Sequence, residues 1–410
     1  MSKEILDIVA LSSPSGLPTG RPIGMNWSPD GKYVGIAQGP TPGIAIYKKE
    51  NNVFTKLPNP GVLPPTSGAS GSEAISWSPD GQHVSVVGAL SPFITMYKQI
   101  GDTFIHLPGS IDSPGGISYG TAWSPDGQYM SVAHETSPFI TIYKRNGDTF
   151  TKLSNPDVLP AGTSYRTAWS PDSSYLSVSG PVAPFVTIYR RNGDTFTRLP
   201  NPSILPTGTG YGVSWSPDGQ YLIISHVNMP YITIYKRSGD MFTKLANPNV
   251  LPTYNATGAT WHPTQNYVSV CHDYAPFMTV YSYNNDTFTK LPHPSVPAGS
   301  LGYGIGWSPE GQYIGRTMVQ HPYVIFYNVL YTDTTLHLLK STTDFYTLAP
   351  YLQSIPSITD TPTKSDFTTY GTDSLDGILT KLTTQQKPLT DMGNIKTVAV
   401  PDGWSGITIE

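Results

Sequence analysis

The sequence predicts an all-β fold, a seven-bladed β-propeller of four-stranded blades, and three observations carry that prediction. Seven tryptophans stand at 27, 77, 123, 169, 215, 261 and 307, so one interval of 50 is followed by five of 46. A fixed period near that of a four-stranded blade marks a repeat architecture. Within each period, apolar residues alternate and turn residues interrupt them. The N-terminal segment also matches the part of the repeat that the last copy lacks.

The unit at Trp123 shows the elements in order. Tyr119 to Ser124 reads as strand A, closed by Pro125-Asp126-Gly127. Tyr129 to His134 alternates, with Met130 and Val132 opposite Ser131 and Ala133, and reads as strand B. Phe139 to Lys144 (FITIYK) is β-branched and aromatic, hence strand C. Asn146-Gly147 is a hairpin signal, expected to hold positive φ at both residues. Thr149 to Leu153 is strand D. The SPDG stretch is a turn: proline presets φ, aspartate bonds the backbone and glycine takes the left-handed position. Ser173 and Gln265 replace that glycine in two units, so those turns are expected to be strained or reshaped.

Closure follows from the ends. Leu11–Gly20 (LSSPSGLPTG) aligns with Leu153–Gly162 (LSNPDVLPAG), which places residues 6–11 (LDIVAL) in register with a strand D. The seventh unit loses the pattern near Tyr327. The N-terminal strand is therefore expected to complete blade seven and remove an open sheet edge. Residues 1–328 then form the propeller. Residues 329–410 are a Thr-rich C-terminal extension or small accessory domain, for anchoring or subunit contact. Trp404 falls outside the register. Within this extension, residues 374–385 suggest a short helix, and IKTVAV and ITIE suggest strands. It holds five Lys against nine Asp and Glu, which equals the −4 of the whole chain, so the propeller is near neutral.

Composition narrows the function classes. Charged residues are 13%, and the 39 glycines and 40 prolines fall in the periodic turns rather than in disordered tracts. The lone Cys271 forms no internal disulfide framework and aligns with Ala133, a small buried position. MSKEILDIVAL has too short an apolar core for a signal peptide, and no run is long enough for membrane insertion. Near-neutral charge argues against nucleic acid as a partner. The protein is expected to be made in a cytoplasm.

Strand direction divides the loops. A–B and C–D turns share one rim and are nearly uniform. B–C and D–A loops share the other and differ between units, from HETSPF to HVNMPY to HDYAPF, with the first D–A loop four residues longer. Function is expected on such variable loops over a rigid scaffold. Equivalent positions there carry Tyr119, Tyr165, Tyr211 and Tyr303, and His134, His226 and His272, which make up the candidate binding rim. The tyrosines suit packing at the channel mouth or an aromatic platform for sugar or peptide. The histidines lie on separate blades, too far apart for metal bond lengths, so no metal site and no cofactor is expected. Asp273 and Glu135 sit on different blades and form no matched acid/base pair. The basic residues after strand C, and Lys56, Lys152, Arg198, Lys244 and Lys290 on strand D, read as edge protection rather than an anion site, with Asp102, Asp148, Asp194, Asp240 and Asp286 beside them. There is no GxSxG, HExxH or GxxxxGK[ST] motif. No enzyme activity is expected.

The pattern WSPDGxYxxV…IxIYKRxGDxFxKL resembles WD40-like propeller repeats, including those of the TolB β-propeller, over roughly residues 6–327. It lacks the Trp-Asp dipeptide and Gly-His signature of WD40, and seven units depart from TolB. SPDG is similar to the sialidase Asp-box but lacks its spacing. The near-identical units also resemble propellers encoded in bacteriophage genomes among tail and other virion genes. That resemblance implies a non-enzymatic structural or binding component of a virion (tail, collar or capsid surface). Its partners would be other virion structural proteins, with a host surface glycan or receptor at the rim, and its oligomeric state would be set by the particle. The alternative is a carbohydrate-binding, lectin-like propeller; a glycan-processing enzyme is a third reading.

Overall fold

The structure is a computed structural model, described over residues 4–67, 70–292 and 300–331. The described residues contain strands and no helix. Seven sheets of four strands follow one another, six of them with strands in sequence order. The seventh has the order Ile5–Ala10, Val324–Tyr331, Tyr313–Thr317, Ile305–Trp307, so the N-terminal strand is its outer member as the alignment predicts. Its third strand runs to Tyr331, past the expected end near Tyr327. Inner strands contact their neighbours around a full circle, the seventh against the first. Residues 10–328 form one compact unit. The other, Met1–Val9 with Val329–Glu410, is described only over 4–9 and 329–331. The helix and strands expected beyond residue 331 lie outside the described residues.

In blade three the strands are Ser118–Trp123, Tyr129–His134, Ile140–Asn146 and Thr149–Lys152. The A–B turn works by a side-chain network. Ser124 Oγ accepts from Tyr129 N at 2.9 Å and donates to Asp126 Oδ1 at 2.5 Å, and that oxygen also accepts from Gln128 N. Gly127 is left-handed, φ 69°. Ser173 adopts the same region at φ 56°, so its turn keeps the shape with a strained residue. At Gln265 the turn is rebuilt: His262 Nδ1 accepts from Thr264 N and Gln265 N. The C–D hairpin differs from expectation. Asn146 pairs with Thr149 inside the ladder, so the loop is Gly147-Asp148 and only Gly147 has positive φ. Glycine at the first central position is the type II′ pattern. Asn285-Asp286 carries positive φ at both residues.

Blades bury their faces against each other. Between blades three and four, Tyr129, Ile140 and Ile142 pack on Trp169, Leu176, Val178 and Phe196. Trp169 stacks on Tyr129 and meets Phe196 edge-on, and its Nε1 donates to Ser131 Oγ of the preceding blade. The same contact closes the ring: Trp27 and Phe54 of blade one pack on Tyr313 and Phe326 of blade seven. Strand C tyrosines such as Tyr143 and Tyr189 are fully buried and donate to D–A loop carbonyls at Asp112 and Val158. Burial of such large aromatic groups is the main stabilising term, each Trp or Phe carrying about 3–5 kcal/mol against truncation.

The basic residues after strand C join blade to blade. Lys48, Lys98, Lys144, Arg190 and Lys236 pair with Asp102, Asp148, Asp194, Asp240 and Asp286 of the next blade. Arg145, Arg191 and Arg237 reach back to Asp80, Asp126 and Asp172 of the preceding one. Lys49 reaches Glu310 across the closure. The first residue of strand B adds a bond to the same aspartates, as from Tyr129 to Asp194 and Tyr175 to Asp240. This row is therefore more than edge protection: it fastens adjacent blades.

Candidate functional site

The centre of the ring is a channel with a cavity of about 190 Å³, lined by residues of the inner strands and their leads, including Asn26, Thr121, Arg166, Thr167, Tyr211, Thr257 and Tyr303. Inner strands approach closely there. A Cβ on Gly24 would lie 2.7 Å from Glu73 O, and one on Gly120 would lie 2.5 Å from Tyr165 O. Hence that column reads Gly24, Ala74, Gly120, Gly212, Gly258 and Gly304, with Arg166 as its exception. Arg166 stands at the start of a shortened strand A (Arg166–Trp169), and its Nη1 donates to the carbonyls of Tyr119 and Tyr165.

The preceding column forms the mouth: Ile23, Glu73, Tyr119, Tyr165, Tyr211, Thr257 and Tyr303. All four expected tyrosines are half-buried here. Tyr119 and Tyr165 meet edge-to-face at 5.3 Å, and Tyr165 and Tyr211 stack at 5.9 Å and 7°. Tyr303 stands apart under Arg21, whose guanidinium lies 4.8 Å from its ring centre and donates to its hydroxyl at 2.6 Å. The mouth thus carries a three-ring row on blades three to five and a separate Tyr–Arg pair.

Burial sets the ionisation of these groups. It pushes the Tyr119 hydroxyl up to about 12, helped by Glu135, to which that hydroxyl donates at 3.4 Å. Burial also raises Glu73, with Arg166 and Arg21 pulling the other way, and burial lowers Arg166 with Glu73 opposing. Burial raises Asp273, which Asn255 Nδ2 offsets by donating to Oδ2 at 3.3 Å. Sequence reasoning missed Glu73 and Arg166. The signal was present: Glu73 is the one carboxylate in a column of Tyr, Ile and Thr, and Arg166 the one cation in a column of Gly and Ala.

The histidines lie elsewhere. His134, His226 and His272 are fully buried at the ends of their B strands, and each Nε2 bonds a strand C threonine: Thr141, Thr233 and Thr279, at 2.9–3.0 Å. His226 Nδ1 also bonds Val227 O, and His272 Nδ1 bonds Tyr274 O. They tie strands together within blades and are not presented on the rim surface. Burial pushes His134 down to about 4. Among the described residues no three His, Cys, Asp or Glu side chains gather as metal ligands would.

The B–C loops hold an aromatic residue in the left-handed region in six blades: Phe93, Phe139, Phe185, Tyr231, Phe277 and Tyr323, with φ between 65° and 70°. Such strain often marks a site. Here it recurs blade after blade, so it belongs to the scaffold. Arg316 is a further departure, standing where other blades have Val or Ile. It is fully buried over Phe277, with Nε and Nη1 unpaired, and faces no solvent.

Seven closed sheets of four antiparallel strands, joined last to first, decide the architecture. The fold is a seven-bladed β-propeller. A WD40 propeller from the crystal structure of the Mitotic Checkpoint Complex superposes with a TM-score of 0.59 at 15% identity, covering 81% of this chain and 95% of that one. That likeness bears on the fold alone. No family model and no curated protein matches the chain.

Proposed function

We propose that this propeller is a non-enzymatic binding and structural protein, that it engages its partner through the B–C and D–A rim, and that it serves as a component of a bacteriophage particle. The observation that supports the binding reading is the mouth of the channel. A row of half-buried tyrosines, Glu73 and Arg166 converge there at one end of a repeated scaffold. Few polar groups among aromatic walls is the usual make-up of a recognition site. The particle setting rests on the resemblance of the repeated unit to phage-encoded propellers. In that setting residues 329–410 anchor the chain and the propeller is displayed.

Released particles purified on a density gradient test this by mass spectrometry. Stoichiometric presence of the chain is the expected result, and its copy number separates tail tip, collar and capsid surface. A chain found only free in the lysate refutes the particle role. Residues 1–328 alone are expected to fold and to stay out of the particle; their incorporation refutes the anchor.

A second reading, a carbohydrate-binding propeller, is favoured by the Tyr119–Tyr165–Tyr211 row. Aromatic faces suit the C–H faces of sugars.

A further inference from the structure

Two further aromatic residues stand on the B–C and D–A loops. Tyr254 stands in the D–A loop where the corresponding loops carry Gly162 and Gly208. Tyr274 stands in the B–C loop where others carry Thr136, Val182 and Asn228. Tyr254 is 48% and Tyr274 68% exposed, and Met229, two residues before Tyr231, is 65% exposed. The rings form a ladder: Tyr231 to Tyr254 is 6.1 Å at 28°, and Tyr254 to Tyr274 is 5.9 Å at 46°. Glycine fills the Tyr254 column in blades that fold equally well, and the Tyr274 position takes Thr, Val or Asn, so these two rings are not required by the fold, whereas Tyr231 holds the aromatic scaffold position. Clustered apolar surface left in water marks a contact site.

Polar groups flank the ladder. Asn255 Nδ2 donates to Asp273 Oδ2, Asp273 N donates to Asn255 O at 3.1 Å, and Asn228 N donates to Asn255 Oδ1 at 3.4 Å. Thr253 Oγ1 donates to Ala275 O at 3.1 Å, which pins the two loops together before any ligand arrives. Pre-set loops lower the ordering cost of binding. Burial raises the Tyr211 hydroxyl, with Tyr165 and then Asp273 adding to it.

We propose that Tyr231, Tyr254 and Tyr274, with Asp273 and Asn255, form a platform for a neutral oligosaccharide. This names the ligand class of the binding rim and rests on that reading. The electron-rich ring faces take the C–H faces of pyranose units. Asp273 is an acceptor and needs donors, which sugar hydroxyls supply. A proline-rich peptide also offers C–H faces, but its backbone lacks those donors. An acidic glycan meets a carboxylate with no lysine or arginine in the cluster.

The test screens the purified full chain against an array of neutral and acidic oligosaccharides and titrates the best neutral binder by calorimetry. Tyr254→Ala with Tyr274→Ala is expected to weaken binding about tenfold or more with unchanged melting, and Asp273→Asn to weaken it several-fold. No oligosaccharide bound, undiminished binding in the double variant, or preference for acidic glycans or a proline-rich peptide overturns the platform. Presence in particles is read separately. A chain found in particles without sugar binding overturns the platform alone, and a chain absent from particles that binds the sugar overturns the particle role alone.

Discussion

The two rims of the propeller are built from the same repeat and have gone different ways. On the turn rim, each strand C cation meets the next blade's aspartate, and the same serine–aspartate turn recurs. On the loop rim, Thr136, Val182, Asn228 and Tyr274 share one position and have little in common. The difference follows from what each residue touches. A side chain that must fit the neighbouring copy is constrained twice, once in each blade. A side chain that meets solvent or a partner is free to depart.

Perturbing each rim sharpens that contrast. The largest effect concerns closure: deleting residues 1–11 removes the outer strand of the seventh sheet and is expected to abolish a single cooperative melt, whereas unchanged melting refutes closure by that strand. Acid comes next. Burial holds His134 and His226 neutral beneath the loop rim, and His262 in the rebuilt turn, with His134 and His262 pushed down to about 4. These folded values lie below the unfolded value of about 6.5. The contribution of all three is therefore intact above about pH 6.5 and erodes as pH falls below it, and for His134 and His262 the loss is complete near pH 4, His134 alone accounting for about 3 kcal/mol there. Burial raises Asp126, but its hydrogen bonds and Arg191 outweigh that, and Lys144 and Tyr129 lower Asp194, so both carboxylates lie below the usual range and give way only at still lower pH. Melting curves at pH 7, 5 and 4 check this, and a His134→Gln variant is expected to lose stability less steeply.

Smaller effects separate the rims. Asp126→Ala strips acceptors from Ser124, Gln128 and Arg191 and is expected to cost about 2 kcal/mol in denaturant unfolding. Lys144→Met breaks an ion pair that water screens, and the loss is expected to stay below about 1 kcal/mol. Tyr254→Ala with Tyr274→Ala is expected to shift stability by no more than about 0.5 kcal/mol. A larger loss there places those rings in the scaffold.

Much of this fold is legible in one unit. The strands of blade three fall within two residues of their expected ends because alternation and turn residues agree, and the N-terminal strand is found by simple register. Readings slipped where a neighbour decides. Asn146 reads as a turn residue in sequence, but pairing with Thr149 keeps it in the ladder. Lys144 reads as edge protection until Asp194 of the next blade is in view. His134 sits at a strand end, which suggests the rim, yet its ring points inward to Thr141. The site was legible in another way. Glu73, Arg166 and Tyr254 depart from their columns and Tyr274 is the one aromatic residue in a variable one, differences hidden only when the copies are averaged.

Returning those four to their columns tests the central claim most directly. The measurement is the thermal melt of a chain carrying Glu73→Tyr, Arg166→Gly, Tyr254→Gly and Tyr274→Thr. If the repeat is scaffold and the departures are recognition, the variant melts at or above the parent temperature. A fall of more than about 4 °C means that these residues hold the propeller together, and contradicts the account.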